Sequence, residues 1–268
     1  MAFPAAFISH GSPDVGLYPT PAREFLTGFG DQLGRPDAIV SISAHFSTHR
    51  PTVVSDVAPE TLYDFSGFQD ELYEMTYPAP GDPVLALKVA GLINAANMPV
   101  LMSEGRGYDH GTWIPLKMMY PGADIPIVQV SIQANEPPAH HFELGQALSS
   151  LREENILVLG TGAMTHNLRA MFQVMPGFEG MVPPIDGPPL PWVSEFADWF
   201  AERANSGAID DLLAYRRKAP YGAENHPTDE HLLPFYVALG AGGEAVDARR
   251  VHHSIQYGVL AMDAYVMS

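Results

Sequence analysis

Short apolar runs rich in β-branched residues recur along this chain with helical stretches between them, and three of these runs are followed closely by a histidine. The runs predict strands over Ala5–Ser9, Ala38–Ala44, Thr52–Ser55, Val100–Ser103, Ile125–Ile132 and Ile156–Gly160. Between and after them, helices are predicted over Thr20–Phe29, Pro83–Ala96, Thr112–Met119, Pro138–Leu151, Pro191–Ala204, Ala208–Arg216 and Glu230–Leu239. Alternating strands and helices build βαβ units, so the expected class is α/β. The expectation is a single domain over residues 1–268, with a central mainly parallel or mixed sheet flanked by helices. Ligands of such a sheet bind in the crevice at the carboxyl ends of its strands, and a metal site is expected there.

His10 in Ser9-His10-Gly11-Ser12-Pro13, His45 in Ser43-Ala44-His45-Phe46 and His166 in Thr165-His166-Asn167 all fall just past such strand ends. Imidazoles delivered to one rim could share an ion, and imidazole suits Zn, Fe, Cu and Ni. A lone histidine is usually structural or on the surface, and His49, His140, His141, His252 and His253 are read that way. His231 lies in Thr228-Asp229-Glu230-His231, where Thr228 reads as a helix cap that places His231 in the first turn. Glu230 is its competitor as a ligand. Two histidines and a carboxylate make the facial set of many non-haem Fe(II) oxygenases, whereas three histidines could serve Fe(II) or Zn(II). Gly160-Thr161-Gly162 lacks the lysine of a phosphate loop and reads as a bend that aims His166, as ligand or as acid–base group. In Tyr108-Asp109-His110-Gly111-Thr112, either His110 contacts O2 or substrate, or Asp109 caps a helix with His110 a bystander. Arg106 and His226 are candidates, on position alone, to meet a substrate carboxylate.

The formal net charge of −17 argues against nucleic acid or an anionic membrane as a main partner. Cysteine is absent, so disulfides, thiolate ligands and a cysteine nucleophile are excluded. No apolar run approaches the roughly 20 residues of a membrane span, and the start of the chain has no signal-peptide pattern. A cytoplasmic site is the simplest expectation. No pattern encodes an oligomeric state. Pro59–Pro83 carries Tyr63, Phe65, Phe68, Tyr73 and Tyr77, which either wall an apolar pocket or form a satellite cluster. Pro176–Pro191, rich in proline and glycine, reads as a long loop.

Taken together, Ser9–Pro13, Val40–Phe46, Asp109–Trp113, Thr165–Leu168 and Pro227–Pro234 resemble, in order, the motifs of the class III extradiol ring-cleavage dioxygenases, most closely the 4,5-DOPA dioxygenase branch. The resemblance spans nearly the whole chain. It implies that His10, His45 and His231 hold a metal, Fe(II) for activity with Zn(II) as another ion the site would accept. It implies His166 as the acid–base histidine and His110 in the oxygen or substrate pocket. His226 and Tyr257 would contact or tune the substrate. The implied reaction is O2-dependent cleavage of a small catechol, with DOPA giving a semialdehyde that cyclises to betalamic acid. Two other classes stay open at this stage: a zinc hydrolase using the same histidines, and a non-catalytic interaction protein on the same fold.

Overall fold

The computed structural model describes residues 2–173, 184–243 and 246–268. Strand β1 (Ala5–Ser9) leads through a turn of 3-10 helix at Pro13–Gly16 into helix α1 (Pro21–Leu33). The Thr20 hydroxyl caps α1 by accepting the Arg23 N–H, and Pro21 suits the first turn, where its missing N–H is not needed. Then come β2 (Ala38–Ser43), β3 (Thr52–Val54), α2 (Asp70–Glu74), α3 (Pro83–Ala95), β4 (Leu101–Ser103), α4 (His110–Met119), β5 (Ile127–Gln129), α5 (Pro138–Leu148) and β6 (Ile156–Gly162). The remainder holds α6 (Leu168–Gln173), α7 (Pro191–Asn205), the short α8 (Ile209–Leu213), α9 (Tyr215–Lys218) and α10 (Gly222–Asn225), and α11 (Leu233–Ala241). Four strands close the chain: β7 (Ala248–His252), β8 (Ile255–Gln256), β9 (Leu260–Ala261) and β10 (Ala264–Met267).

Among the described residues the main sheet has the order β5-β2-β6-β1-β10-β7. β5, β2, β6 and β1 run parallel, and β10 and β7 add an antiparallel edge. The fold is thus a single α/β domain with a mixed sheet. Strands β1, β2 and β6 are buried along their whole length, as parallel strands covered on both faces must be. All nine residues of α11 are buried, so this helix is apolar on every side and lies inside the molecule, against α5 and β6.

Three expectations change. The last helix begins at Leu233, beyond His231. Pro234 in its first turn marks that start, while the Thr228 hydroxyl donates to Glu230 and caps nothing. Ala208–Arg216 divides into α8 and α9 at Ala214. Gly160-Thr161-Gly162 is no bend: it is the end of β6, paired on both sides. A Cβ on Gly162 would stand 2.1 Å from the His231 carbonyl oxygen, and one on Gly160 would stand 2.2 Å from that of Pro234. These glycines let the segment that carries His231 lie directly on the strand. β7 to β10 had no strand expectation at all. Residues 176–183 of the long proline-rich loop lie outside the described residues.

Candidate active site

Strand register brings the site together. Ser9 of β1 sits opposite Gly162 of β6, and Ser43 of β2 sits opposite Thr161. The three strands therefore end at one level. His10 leaves β1 at once, His45 follows two residues after β2, and His166 follows four residues after β6. His110 opens α4, whose cap is the Asp109 carboxylate accepting the Thr112 N–H. Asp109 caps the helix, and His110 also faces the cavity. His231 reaches the same place from the turn before α11, held where Ala163 N–H donates to the His231 carbonyl at 2.8 Å. All five histidines line one cavity of about 570 Å3, within the range of small-molecule sites. Phe65, Phe68, Leu260 and Met262 supply much of its apolar wall. The aromatic loop therefore walls the pocket, and it also packs as a cluster through Phe65 against Tyr63 and Tyr73.

Ring centroids lie 4.9 Å apart for His10 and His45, 5.0 Å for His45 and His231, and 5.6 Å for His10 and His231. His166 stacks on His231 at 3.4 Å and 10°. Hydrogen bonds behind the rings set which nitrogen faces the cavity. Thr161 donates its hydroxyl proton to the Gly111 carbonyl, so its oxygen accepts from His10 Nδ1–H at 3.1 Å. His10 Nε2 is left bare. Asp64 Oδ1 accepts both the backbone N–H and the Nδ1–H of His110 at 2.9 Å, and its Oδ2 stands 3.8 Å from His45 Nδ1. Glu230 Oε1 accepts from His231 Nδ1 at 3.2 Å. Such backing fixes tautomer and ring orientation, as it does for metal-ligating imidazoles.

Burial, reinforced by its histidine neighbours, holds His10 well below its ordinary value. Burial and the neighbouring His110 push His45 to about 3, and burial and His231 push His166 to about 3. Burial takes His231 to about 4 despite the opposing pull of Glu230. These rings are neutral at pH 7, with lone pairs available. Burial opposes charge on Asp64 and Glu230, yet hydrogen bonds from His110 and His231 respectively hold each carboxyl at about 2.

A metal ion fits this donor set. Two nitrogens each about 2.1 Å from a shared ion sit roughly 3.0–3.4 Å apart, and His10 Nε2 and His45 Nε2 are 3.1 Å apart. Among the described residues two groups could hold an ion: His10 with His45 and His110, and His166 with Glu230 and His231. The ring distances above join them into one cluster.

The other candidates lie differently. Arg106 does not line the cavity. Its guanidinium donates to Asp109 Oδ2 at 2.9 Å and to the His45 carbonyl at 3.1 Å, over the Phe46 ring. It steadies the turn that carries His45. His226 is fully buried outside the lining, with Nε2 2.8 Å from the Met164 carbonyl. Tyr257 does line the cavity, at φ +52, and its hydroxyl donates to Asp14 Oδ2 at 3.0 Å. Sequence reasoning missed Asp64, Thr161 and Asp14. No local pattern marks them, because each acquires its role only through a distant partner.

The family described as the catalytic LigB subunit of aromatic ring-opening dioxygenase matches residues 5–267. A 4,5-DOPA dioxygenase extradiol of Beta vulgaris is 36% identical over 263 residues, covering 97% of this chain and 94% of the relative. Its namesake in Escherichia coli K12 is 39% identical over 242 residues, covering 89% and 84%. The crystal structure of an uncharacterized protein from Escherichia coli K12 superposes with a TM-score of 0.79 at 32% identity, covering 99% of this chain and all of the other.

Proposed function

Because the chain belongs to the LigB family and is an extradiol aromatic ring-opening dioxygenase, we propose that it opens a catechol ring with O2 at an Fe(II) held by His10, His45 and His231, and that DOPA is the substrate. The observation that carries this reading is the convergence of neutral, rear-buttressed imidazoles on one apolar-walled cavity. Relatives named for DOPA cleavage, similar over nearly their full length, support the choice of substrate.

When bound, the metal supplies Lewis acidity that makes a catechol hydroxyl easier to ionise and, as iron, a redox partner for O2. The chain's own residues do the rest. His166, neutral at pH 7, accepts a proton from the second hydroxyl and later returns one. The negative charge of an ionised catechol beside it raises its proton affinity, so the low value without substrate does not prevent that uptake. His110, its Nδ1–H engaged by Asp64, offers its other nitrogen as an acceptor to a catechol hydroxyl. Phe65, Phe68 and Met262 clasp the ring and keep water from it. Cleavage of DOPA at the 4,5 bond gives a semialdehyde that cyclises to betalamic acid.

The test is Fe(II) loading without air, addition of DOPA and other catechols, then admission of 18O2. We expect O2 uptake, a yellow product from DOPA and both labelled atoms in the opened product. No uptake with any simple catechol would remove the reading. Uptake with another catechol but not DOPA would remove only the substrate.

A further inference from the structure

We propose that Asp14 receives a side-chain ammonium on the substrate, so that the pocket selects catechols bearing an amine over those bearing only a carboxylate. This rests on the ring-cleavage reading above and adds the chemistry of the far wall. Among the described residues that line the cavity, Asp14 is the only carboxylate, and neither lysine nor arginine is present. Arg106 is committed to Asp109 and the His45 carbonyl, outside the lining. The described lining thus offers an acceptor of positive charge and no lysine or arginine for a substrate carboxylate.

Asp14 is also incompletely satisfied. It is 8% exposed. Its Oδ2 accepts from Tyr257, while Oδ1 has no hydrogen-bond partner among the described residues. A buried carboxylate oxygen without a donor is costly and calls for a partner. An ammonium group supplies donors and the opposite charge together. The hydroxyl partner of Asp14 is itself fixed in place. Tyr257, a bulky residue, is held in the left-handed region at φ +52, and its N–H donates to the Ile185 carbonyl at 2.9 Å. A strained backbone of this kind persists only where its surroundings impose it.

The test uses the full chain loaded with Fe(II) without air, so that binding is read apart from turnover. Dissociation constants are measured by calorimetry for three catechols with one ring and different tails: 4-ethylcatechol, 3,4-dihydroxyphenethylamine and 3-(3,4-dihydroxyphenyl)propionate. We expect the amine to bind about tenfold or more tightly than the uncharged ethyl compound, the scale of one charge-assisted hydrogen bond, and the propionate to bind most weakly. Asp14→Asn should bring the amine-to-ethyl ratio within about twofold of unity. Tyr257→Phe removes the hydroxyl partner and keeps the charge, so it should keep the ratio. Tighter binding of the propionate than the amine, or an undiminished ratio in Asp14→Asn, overturns the assignment. Equal loss of the ratio in Tyr257→Phe makes the effect one of wall packing and also overturns it. Ring opening of 4-ethylcatechol in air with no amine preference overturns the Asp14 assignment alone, whereas no ring opening of any of the three overturns the ring-cleavage reading beneath it as well.

Discussion

At the scale of the residue, the site is a problem of aiming lone pairs. His10 presents Nε2 because Thr161 has spent its only proton on Gly111 and must accept from Nδ1. Thr161→Val keeps the shape and removes that acceptor. We expect metal affinity to fall by about 10–100-fold, read by competition with a chelator, together with a lowered thermal midpoint, because the Gly111 carbonyl and His10 Nδ1–H lose their partner. Unaltered affinity would deny the hydroxyl its role. His166→Ala should lower kcat by about 10²–10⁴-fold while metal stoichiometry stays near that of the parent chain. Loss of the metal instead would make His166 a ligand. The histidines were legible in the sequence because each trails a strand-like run or a turn signature, which places it without knowledge of the rest. Asp64 and Thr161 were not legible. Their partners lie 46 and 151 residues away, and nothing local distinguishes them from any other polar residue.

At the scale of the element, β6 is the platform. Its glycines looked like a bend in the sequence because glycine commonly marks turns. In the fold they are flat ground for the segment that bears His231. Gly162→Ala would drive a methyl to 2.1 Å from the His231 carbonyl oxygen. We expect this to destabilise the protein by about 1–3 kcal/mol, with a lowered thermal midpoint and weakened metal binding together. A midpoint and an affinity both equal to the parent's would show that the segment does not need the glycine. Helix starts followed the caps where a cap was real, at Thr20, Asp82 and Asp109. The exception was Thr228, whose hydroxyl found Glu230 instead. A sequence shows a capping residue but not which neighbour takes its hydrogen bond.

At the scale of the whole molecule, burial of neutral histidines ties the fold to pH. Burial takes His141 and His226 down to about 4, each against an opposing hydrogen bond to a backbone carbonyl, Pro137 and Met164 respectively. In the unfolded chain both return to about 6.5. The unfolded state therefore binds more protons between these values. The fold keeps its full stability above 6.5 and loses it as pH falls from there through about 4, by up to about 3 kcal/mol for each ring. The urea midpoint of the metal-free chain should drop across that window. His141→Gln, which removes one titrating ring, should make the drop shallower, and an unchanged slope would clear His141 of a part in it. The sequence by itself determined the α/β class, the strands β1, β2 and β6 and the histidines at their ends, since apolar period and strand polarity are local properties. Only the tertiary structure decided the antiparallel edge, the seat of His231 on β6, the carboxylates behind the rings and the half-satisfied Asp14 at the cavity wall. Those depend on which distant backbones and side chains come within hydrogen-bonding reach, and that is set when the sheet closes its register and the helices pack upon it.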